Sequence, residues 1–186
     1  MVPSAGPAAA PLPAPTADAP APAGGTRWLD ADEQVVWRAY LSATQLLTDR
    51  IDRQLQHESG IAHTYYEMLV RLSEAPGRSL RMSQLADSSL SSRSRVSHAV
   101  ARLEERGWIR REACETDGRG YLAVLTDAGF DALAAAAPGH VEAVRSNLFD
   151  VLDAEQVKQL GEIAQAMLAH LTATGAVSPV PPVRED

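Results

Sequence analysis

One stretch in the middle of the chain carries side chains that are suited to binding an anion. Residues 92–98 read Ser-Arg-Ser-Arg-Val-Ser-His, so guanidinium, hydroxyl and imidazole groups follow one another closely. Arginine donates paired hydrogen bonds to phosphate or to the edge of guanine, and hydroxyl groups at a helix start suit phosphate. The chemistry that this stretch predicts is recognition of a nucleic acid.

The charge of the chain is unevenly distributed. Its 186 residues have a net charge of −7, whereas residues 92–111 contain six arginines and two glutamates, which gives this segment +4. A local basic patch, and not the total charge, determines how strongly phosphates are attracted. Lys158 is the single lysine, and the preference for arginine fits contacts with guanine and phosphate as well as a genome rich in GC codons.

The residues around this stretch predict two short helices joined by a tight turn. Counted from the N-terminus, Ser83 is expected to cap the third helix and Ser92 the fourth. Gly107 suits the position just beyond the fourth helix, where a left-handed backbone ends it. The apolar residues of the fourth helix follow the helical period and are Val96, Ala99, Val100 and Leu103.

A two-stranded ribbon is predicted directly after these helices. Residues 108–110 and 121–124 have the pattern of strands, and Leu80 is placed to add a short third strand. A helix whose first turns point at base edges, followed by a ribbon with an arginine at its tip, is how a winged helix-turn-helix meets DNA. The candidate DNA contacts are Ser83, Ser92, Arg93, Ser94, Arg95, Ser97, His98, Arg102 and Arg119, with Asp117 expected to support the wing.

The sequence predicts one folded domain between two tails. Residues 1–27, which are rich in alanine and proline, and residues 173–186 are expected to be disordered. Residues 28–172 are expected to form a mainly α domain with a small β-wing, built from about six helices and two to three short strands. The winged helix-turn-helix lobe spans about residues 62–126, and helices at about 30–58 and 127–172 lie outside it.

The other helices also have recognisable starts. The second helix is expected to begin with a capping box formed by Thr64 and Glu67, and the fifth helix is expected to kink at Pro138 and Gly139. The expected starts of the first, fifth and sixth helices are Asp30, Thr126 and Asp153.

The combination of these motifs resembles the MarR family of bacterial winged-helix transcriptional regulators. Ala62 departs from the family pattern, which commonly has a capping threonine there, and Gly118 occupies the middle of the family's D-x-R motif. The resemblance runs from about residue 30 to residue 172. The residues that carry it are Ser83-Gln84-Leu85-Ala86, Arg102-Leu103-Glu104, Gly107-Trp108-Ile109-Arg110-Arg111, Asp117-Gly118-Arg119, and Val124-Leu125-Thr126 with Gly129.

The resemblance implies a homodimer whose first and last two helices interlock. Two recognition helices would then enter the major grooves of a pseudo-palindromic operator in double-stranded DNA. The expected function is that of a cytoplasmic, sequence-specific repressor, which a small phenolic or anionic effector releases from DNA. The candidate effector contacts are Arg38, Tyr40, His63, Tyr65 and Tyr66.

Other functions find less support in the sequence. No Walker loop, nucleophile elbow or zinc-protease motif is present, so no enzyme, metal site or cofactor is expected. No apolar run is long enough for a membrane span. Two alternatives stay open, namely a redox-sensing regulator that uses Cys114, the single cysteine, and a winged-helix module that binds another protein instead of DNA.

Overall fold

The computed structural model describes residues 26–114 and 120–174, which form six α-helices and a three-stranded antiparallel sheet. This architecture confirms the predicted mainly α fold with a small sheet. Most of the two predicted tails lies outside the described residues. In chain order the elements are α1 (Ala31–Ser59), α2 (His63–Glu74), β1 (Ser79–Arg81), α3 (Met82–Ser88), α4 (Arg93–Glu105), β2 (Ile109–Ala113), β3 (Tyr121–Leu125), α5 (Asp127–Val144) and α6 (Ala154–Thr174).

The chain divides into two compact units, Met1–Leu41 and Ser42–Asp186. The described part of the first unit is the beginning of α1 with the residues just before it. The second unit contains the rest of α1 and all the other elements, and its core joins α1, α2, α3, α4, α5 and the sheet. The largest fully buried side chains all lie in this second unit and are Leu55, Ile61, Leu69, Leu72, Leu85, Val96, Val100, Leu103 and Ile109.

Local sequence determines where three of the helices begin. At α1, Asp30 and Glu33 form a capping box, since the Glu33 N–H donates to Asp30 Oδ1 at 2.8 Å and the Asp30 N–H donates to Glu33 Oε2 at 3.0 Å. The same reciprocal pair of bonds caps α6 at Asp153. At α5, Thr126 Oγ1 accepts a hydrogen bond from the Gly129 N–H at 3.0 Å. These three predicted starts are confirmed.

The predicted start of α2 is wrong. This helix begins at His63 and not at Thr64, and its N-cap residue Ala62 has no side chain that accepts a hydrogen bond. The His63 N–H donates instead to Asp52 Oδ1 of α1 at 2.8 Å. A distant residue therefore supplies the cap, which a search for local capping boxes does not find.

The predicted cap of α3 is also wrong. Ser83 lies inside the first turn, because the helix begins at Met82. The residue before the helix is Arg81, whose N–H donates to Gln84 Oε1 at 3.0 Å. Ser83 thereby keeps an exposed hydroxyl group on the first turn of α3.

The sheet has the strand order β1-β3-β2, and both strand pairs are antiparallel. Leu80 lies opposite Ala123, and Ile109 lies opposite Leu125. The predicted hairpin and the predicted short strand at Leu80 are therefore confirmed. Because β3 is the central strand, it connects the segment before α3 to the segment after α4.

α4 ends in a Schellman motif, as its glycine predicts. Gly107 has a φ of +73°, its N–H donates to the Glu104 carbonyl at 2.9 Å, and the Trp108 N–H donates to the Leu103 carbonyl at 3.0 Å. This pair of bonds satisfies carbonyl groups that the helix end would otherwise leave unpaired.

α3 ends in the same motif, but with a leucine at the left-handed position. Leu90 has a φ of +49°, its N–H donates to the Asp87 carbonyl at 3.2 Å, and the Ser91 N–H donates to the Ala86 carbonyl at 3.1 Å. A left-handed backbone costs a residue with a Cβ about 1–2 kcal/mol relative to its preferred conformation. The turn between α3 and α4 is therefore strained at Leu90.

α5 is one continuous helix through Pro138, and the predicted kink at this residue stays a prediction. The irregular segment lies further on, in a π-helical turn at Arg145–Phe149, where Asn147 Oδ1 accepts a hydrogen bond from Arg50 at 2.8 Å. At Gly139 a Cβ would overlap the Glu58 side chain of α1. The glycine thus permits a close approach between α5 and the C-terminal half of α1.

Gly129→Ala is expected to destabilise the fold by about 1–3 kcal/mol. Gly129 is buried in the first turn of α5, and a Cβ there would overlap the carbonyl oxygen of Trp108, a backbone atom that cannot rotate away. Urea unfolding followed by circular dichroism measures the loss. Ala128→Ser is the matched control because it changes the exposed neighbour, and equal midpoints for the two variants would contradict the close approach.

Candidate nucleic-acid interface

α4 presents an apolar face to the core and a polar face to solvent. Val96, Val100 and Leu103 are completely buried, and Ala99 is nearly so. Burial of this stripe sets the rotation of the helix about its axis, so the residues between the buried positions face solvent. The exposed residues at the N-terminal end are Ser92, Arg93, Ser94, Arg95, Ser97 and His98.

The N-terminus of α4 is an exposed, positively polarised helix end. Ser92 is the predicted cap, since its hydroxyl oxygen accepts a hydrogen bond from the Arg95 N–H at 3.3 Å. The N–H groups of Arg93 and Ser94 come before the first helical hydrogen bond and are left to bind another partner. No acidic residue lies in this first turn. A helix end of this kind attracts phosphate.

Three arginines of the basic segment already have carboxylate partners, and one of them is Arg110, which donates to Glu112 on β2. Arg102 donates to Glu105 at 2.9 Å, and Arg111 donates to Glu104 at 2.9 Å. The hydrogen bond from Arg111 lowers the pKa of Glu104, and the hydrogen bond to Glu105 raises the pKa of Arg102. Glu105 therefore partly neutralises the charge of Arg102, a difference from Arg93 and Arg95 that the sequence did not predict.

Arg93 and Arg95 differ from these paired arginines. In the part of the chain that the structure describes, no carboxylate forms an ion pair with either residue, and His98 has no ionic partner there. Arg106 is held by the protein itself, because it donates to the Gly60 carbonyl at 3.0 Å. The positive charge available to a ligand is therefore concentrated at Arg93 and Arg95.

The tip of the predicted wing, with Asp117 and Arg119, lies outside the described residues. Up to that point the hairpin is regular, with Ala113 opposite Tyr121. The Cys114 N–H donates to the Gly120 carbonyl at 2.9 Å. The proposed wing contact of Arg119 consequently stays a prediction.

Cys114 is buried among the described residues, which does not favour a role as a redox sensor. Its side chain is 8% exposed. A thiol that responds to oxidants is accessible and has a lowered pKa, whereas a buried thiol reacts slowly. Burial therefore gives the redox alternative no support.

Two of the effector candidates lie in the first unit, and both are exposed. The Arg38 guanidinium donates to Gln34 Oε1 at 3.1 Å along the same helix. The ring centroid of Tyr40 lies 6.4 Å from that of Trp37 in a stacked arrangement. Within this unit the two candidates occupy an open helix surface.

Two of the three candidates in the second unit, His63 and Tyr66, lie beside a histidine that the sequence did not suggest. The Tyr66 ring centroid lies 4.4 Å from that of His140 on α5, and the His63 ring centroid lies 6.1 Å from it. Burial raises the pKa of Tyr66, while burial and the neighbouring His63 lower the pKa of His140. His140 Nδ1 is buried and has no hydrogen-bond partner among the described residues. Tyr65 is half-buried against the core.

The structure thus joins His63, Tyr66 and His140 into one polar cluster between α2 and α5. Sequence patterns identified His63 and Tyr66 as candidates but not His140. Because His140 is distant in sequence from α2, no spacing rule connects it with them. Only the packing of α5 on α2 brings these rings together.

Two further properties concern the described residues alone. No helix among them is both long enough and apolar enough to cross a membrane. No group of three or more histidine, cysteine, aspartate or glutamate side chains within residues 26–114 and 120–174 is arranged to hold a metal ion.

Known proteins share both the sequence and the fold of this chain. Residues 59–120 match the model of the MarR family. The chain is 54% identical to Sco3205, a MarR family transcriptional regulator from Streptomyces coelicolor that was crystallised in complex with DNA; the match covers 77% of this chain and 94% of Sco3205, with a TM-score of 0.75. No match was found among proteins with curated descriptions.

Two further solved structures extend this likeness. AbsC, a MarR family transcriptional regulator from Streptomyces coelicolor, is 40% identical, and the match covers 80% of this chain and 100% of AbsC with a TM-score of 0.76. A probable transcriptional regulator from Pseudomonas aeruginosa is 25% identical, with 74% of this chain and 99% of that chain covered and a TM-score of 0.65.

The family match includes the parts of the chain that form the candidate interface. Residues 59–120 contain α2, α3, α4 and β2, and the match to Sco3205 extends over most of the described residues. Sequence identity at this level, over nearly the whole of the related chain, goes beyond a shared fold. The chain belongs to the MarR family of transcriptional regulators.

Proposed function

We propose that this MarR family protein is a homodimeric, sequence-specific repressor that binds a pseudo-palindromic operator in double-stranded DNA. The observation that carries the proposal is the exposed basic start of α4, which is fixed in orientation by a completely buried apolar stripe. The crystal structure of Sco3205 with DNA supports the transfer of DNA binding to this chain. The protein would act in the cytoplasm, where the operator is accessible.

In this proposal α4 is the recognition helix and enters the major groove. Arg93 and Arg95 are free to donate paired hydrogen bonds to guanine, because no carboxylate among the described residues holds them. The hydroxyl and N–H groups at the helix start would hold a phosphate. The remaining proposed contacts are Ser83, Ser92, Ser94, Ser97, His98, Arg102 and, on the wing, Arg119 with the support of Asp117.

The apolar surface of α6 supports a dimer. Ile163, Met167 and Leu171 repeat with the helical period, and their exposed fractions range from 38% to 60%. An apolar stripe of this kind on a protein surface marks a contact with another protein. A second copy is the proposed partner, because a dimer places two recognition helices on a symmetric operator. In the first unit, α1 separately exposes Val35, Val36 and Trp37.

The proposal includes release of the protein from DNA by a small phenolic or anionic effector. The polar cluster of His63, Tyr66 and His140 offers ring faces together with a buried nitrogen atom that has no hydrogen-bond partner among the described residues. Sites for small molecules combine apolar walls with a few polar groups in this way. Arg38, Tyr40 and Tyr65 stay candidates for the same role.

Arg95→Ala is expected to remove most of the preference for the operator. Loss of a bidentate contact with guanine reduces discrimination by about 1–3 kcal/mol at each half-site. Fluorescence anisotropy would compare a duplex that the wild-type protein selects from random-sequence DNA with a scrambled duplex. Arg53→Ala is the matched control, since it removes the same charge from an exposed position on α1. Full site preference in Arg95→Ala would show that α4 is not the recognition helix.

Arg119→Ala is expected to weaken binding to the selected and the scrambled duplex by similar factors. A phosphate contact carries no sequence information, and its loss makes the dependence of log K on log salt shallower by about one per contact. Titrations at several salt concentrations give this slope. An unchanged slope together with an altered base preference would contradict a phosphate-binding role for the wing.

Ile163→Glu is expected to convert the protein into a monomer and to abolish tight binding to the selected duplex. A buried carboxylate without a partner would destabilise an apolar interface. Light scattering coupled to size-exclusion chromatography measures the mass. Gln165→Glu adds the same charge to an exposed polar position on the opposite side of α6 from Ile163 and should leave the mass unchanged. A dimer of Ile163→Glu at equal concentration would rule out α6 as part of the interface.

The wild-type protein itself distinguishes DNA binding from the alternative function. If it retained no duplex from a random-sequence library even at low salt, a module that binds another protein would be favoured. Salt-sensitive retention of DNA would support the proposed repressor, because phosphate contacts dominate the affinity of such proteins.

A further inference from the structure

The turn before α4 contains a leucine where the backbone favours glycine. Gly60 and Gly107 follow α1 and α4 with φ values of +63° and +73°, and Leu90 follows α3 with a φ of +49°. Of these three helix ends, only that of α3 carries a side chain at the left-handed position. Arg78 is the one other non-glycine residue of the described chain with a positive φ.

The fold gives no reason for this leucine. Its side chain is 59% exposed, and it does not belong to the core cluster of the second unit. Glycine would suit the backbone better, and a polar residue would suit the solvent better. A residue that fits neither its backbone nor its surroundings is a candidate for a functional contact.

The position of Leu90 connects it to the proposed DNA interface. Leu90 precedes Arg93, the first residue of α4, by three positions, so their Cα atoms lie within roughly 11 Å of each other. The helix start beside it would hold phosphate, and DNA bound there would approach the turn. DNA offers apolar carbon atoms at that distance, in its deoxyribose rings and thymine methyl groups.

We infer that Leu90 is a further DNA-contacting residue, whose side chain packs against carbon atoms of the duplex next to the phosphates at the start of α4. The inference rests on the proposed function, because it requires α4 to bind DNA. Burial of the exposed apolar surface of Leu90 would add affinity without adding charge. The contact would thus complement those of Arg93 and Arg95.

Leu90→Gly tests the inference because stability and binding should change in opposite directions. The melting temperature is expected to rise by about 2–5 °C at equal protein concentration, since glycine relieves the strained backbone. The affinity for the duplex that the wild-type protein selects is expected to fall by about tenfold or more, since the apolar contact is lost. Differential scanning fluorimetry and fluorescence anisotropy measure the two quantities.

Leu90→Met provides the matched control. Methionine restores a flexible apolar side chain of similar size but leaves the backbone strained, so this variant should bind the duplex within about twofold of the wild type. The dependence of log K on log salt should be the same for all three proteins, because no phosphate contact is removed. Weak binding by Leu90→Met, or a salt slope that differs by one or more, would overturn the inference.

A duplex with uracil in place of every thymine identifies the carbon atoms. If the thymine methyl group is the partner, the wild type loses affinity on this duplex and Leu90→Gly does not. If the uracil duplex leaves the affinity of both proteins unchanged, while Leu90→Gly still binds more weakly than the wild type, the partner is deoxyribose. Equal affinity of the wild type and Leu90→Gly for the thymine duplex overturns the inference about Leu90 but leaves the proposed function intact. Failure of the wild type to select any duplex overturns the proposed function.

Discussion

The buried stripe of α4 is the constraint on which the candidate interface depends. Val96, Val100 and Leu103 are completely buried in a core shared with Leu85 of α3 and Ile109 of β2. Rotation of α4 by a quarter turn would expose these apolar side chains, at a cost of about 1.5–3 kcal/mol for each. It would also bury arginines without a partner, which is more unfavourable still. The outward direction of Arg93 and Arg95 is thus a consequence of apolar packing and not of electrostatics.

Electrostatics then determines which of the outward arginines remain available. Glutamates of α4 occupy Arg102 and Arg111, and the Gly60 carbonyl occupies Arg106. These exposed pairs contribute little to stability, because solvent screens them. Their effect is to reduce the positive field at the C-terminal end of α4 and along β2, while the N-terminal end has no acidic neighbour in its first turn. An acidic chain with a net charge of −7 can therefore present a compact cationic surface to DNA.

Sequence patterns predicted what is local and missed what depends on packing. Reciprocal caps such as Asp30 with Glu33, the periodic stripe of α4 and the glycine after it were all visible, because each needs only neighbouring residues. The cap of α2 was not visible, since Asp52 reaches it from another helix. The contact of His140 with Tyr66 depends likewise on how α5 packs on α2. The pairing of Arg102 with Glu105 has local spacing, but spacing alone does not tell which arginines stay free.

The end of α4 is joined directly to the start of α5, and this connection links the proposed recognition helix to the polar cluster. Thr126 caps α5 and also donates through its hydroxyl to the Gly107 carbonyl at 2.7 Å, while its N–H donates to the Trp108 carbonyl at 3.0 Å. Gly129 packs so closely on Trp108 that the first turn of α5 has no room to slide toward it. A compound that shifted α5 at His140 would have to move this junction or strain it. The hydrogen bonds at Thr126 and the close packing of Gly129 on Trp108 thus attach α5, which carries His140, to the segment that follows the proposed DNA-binding helix.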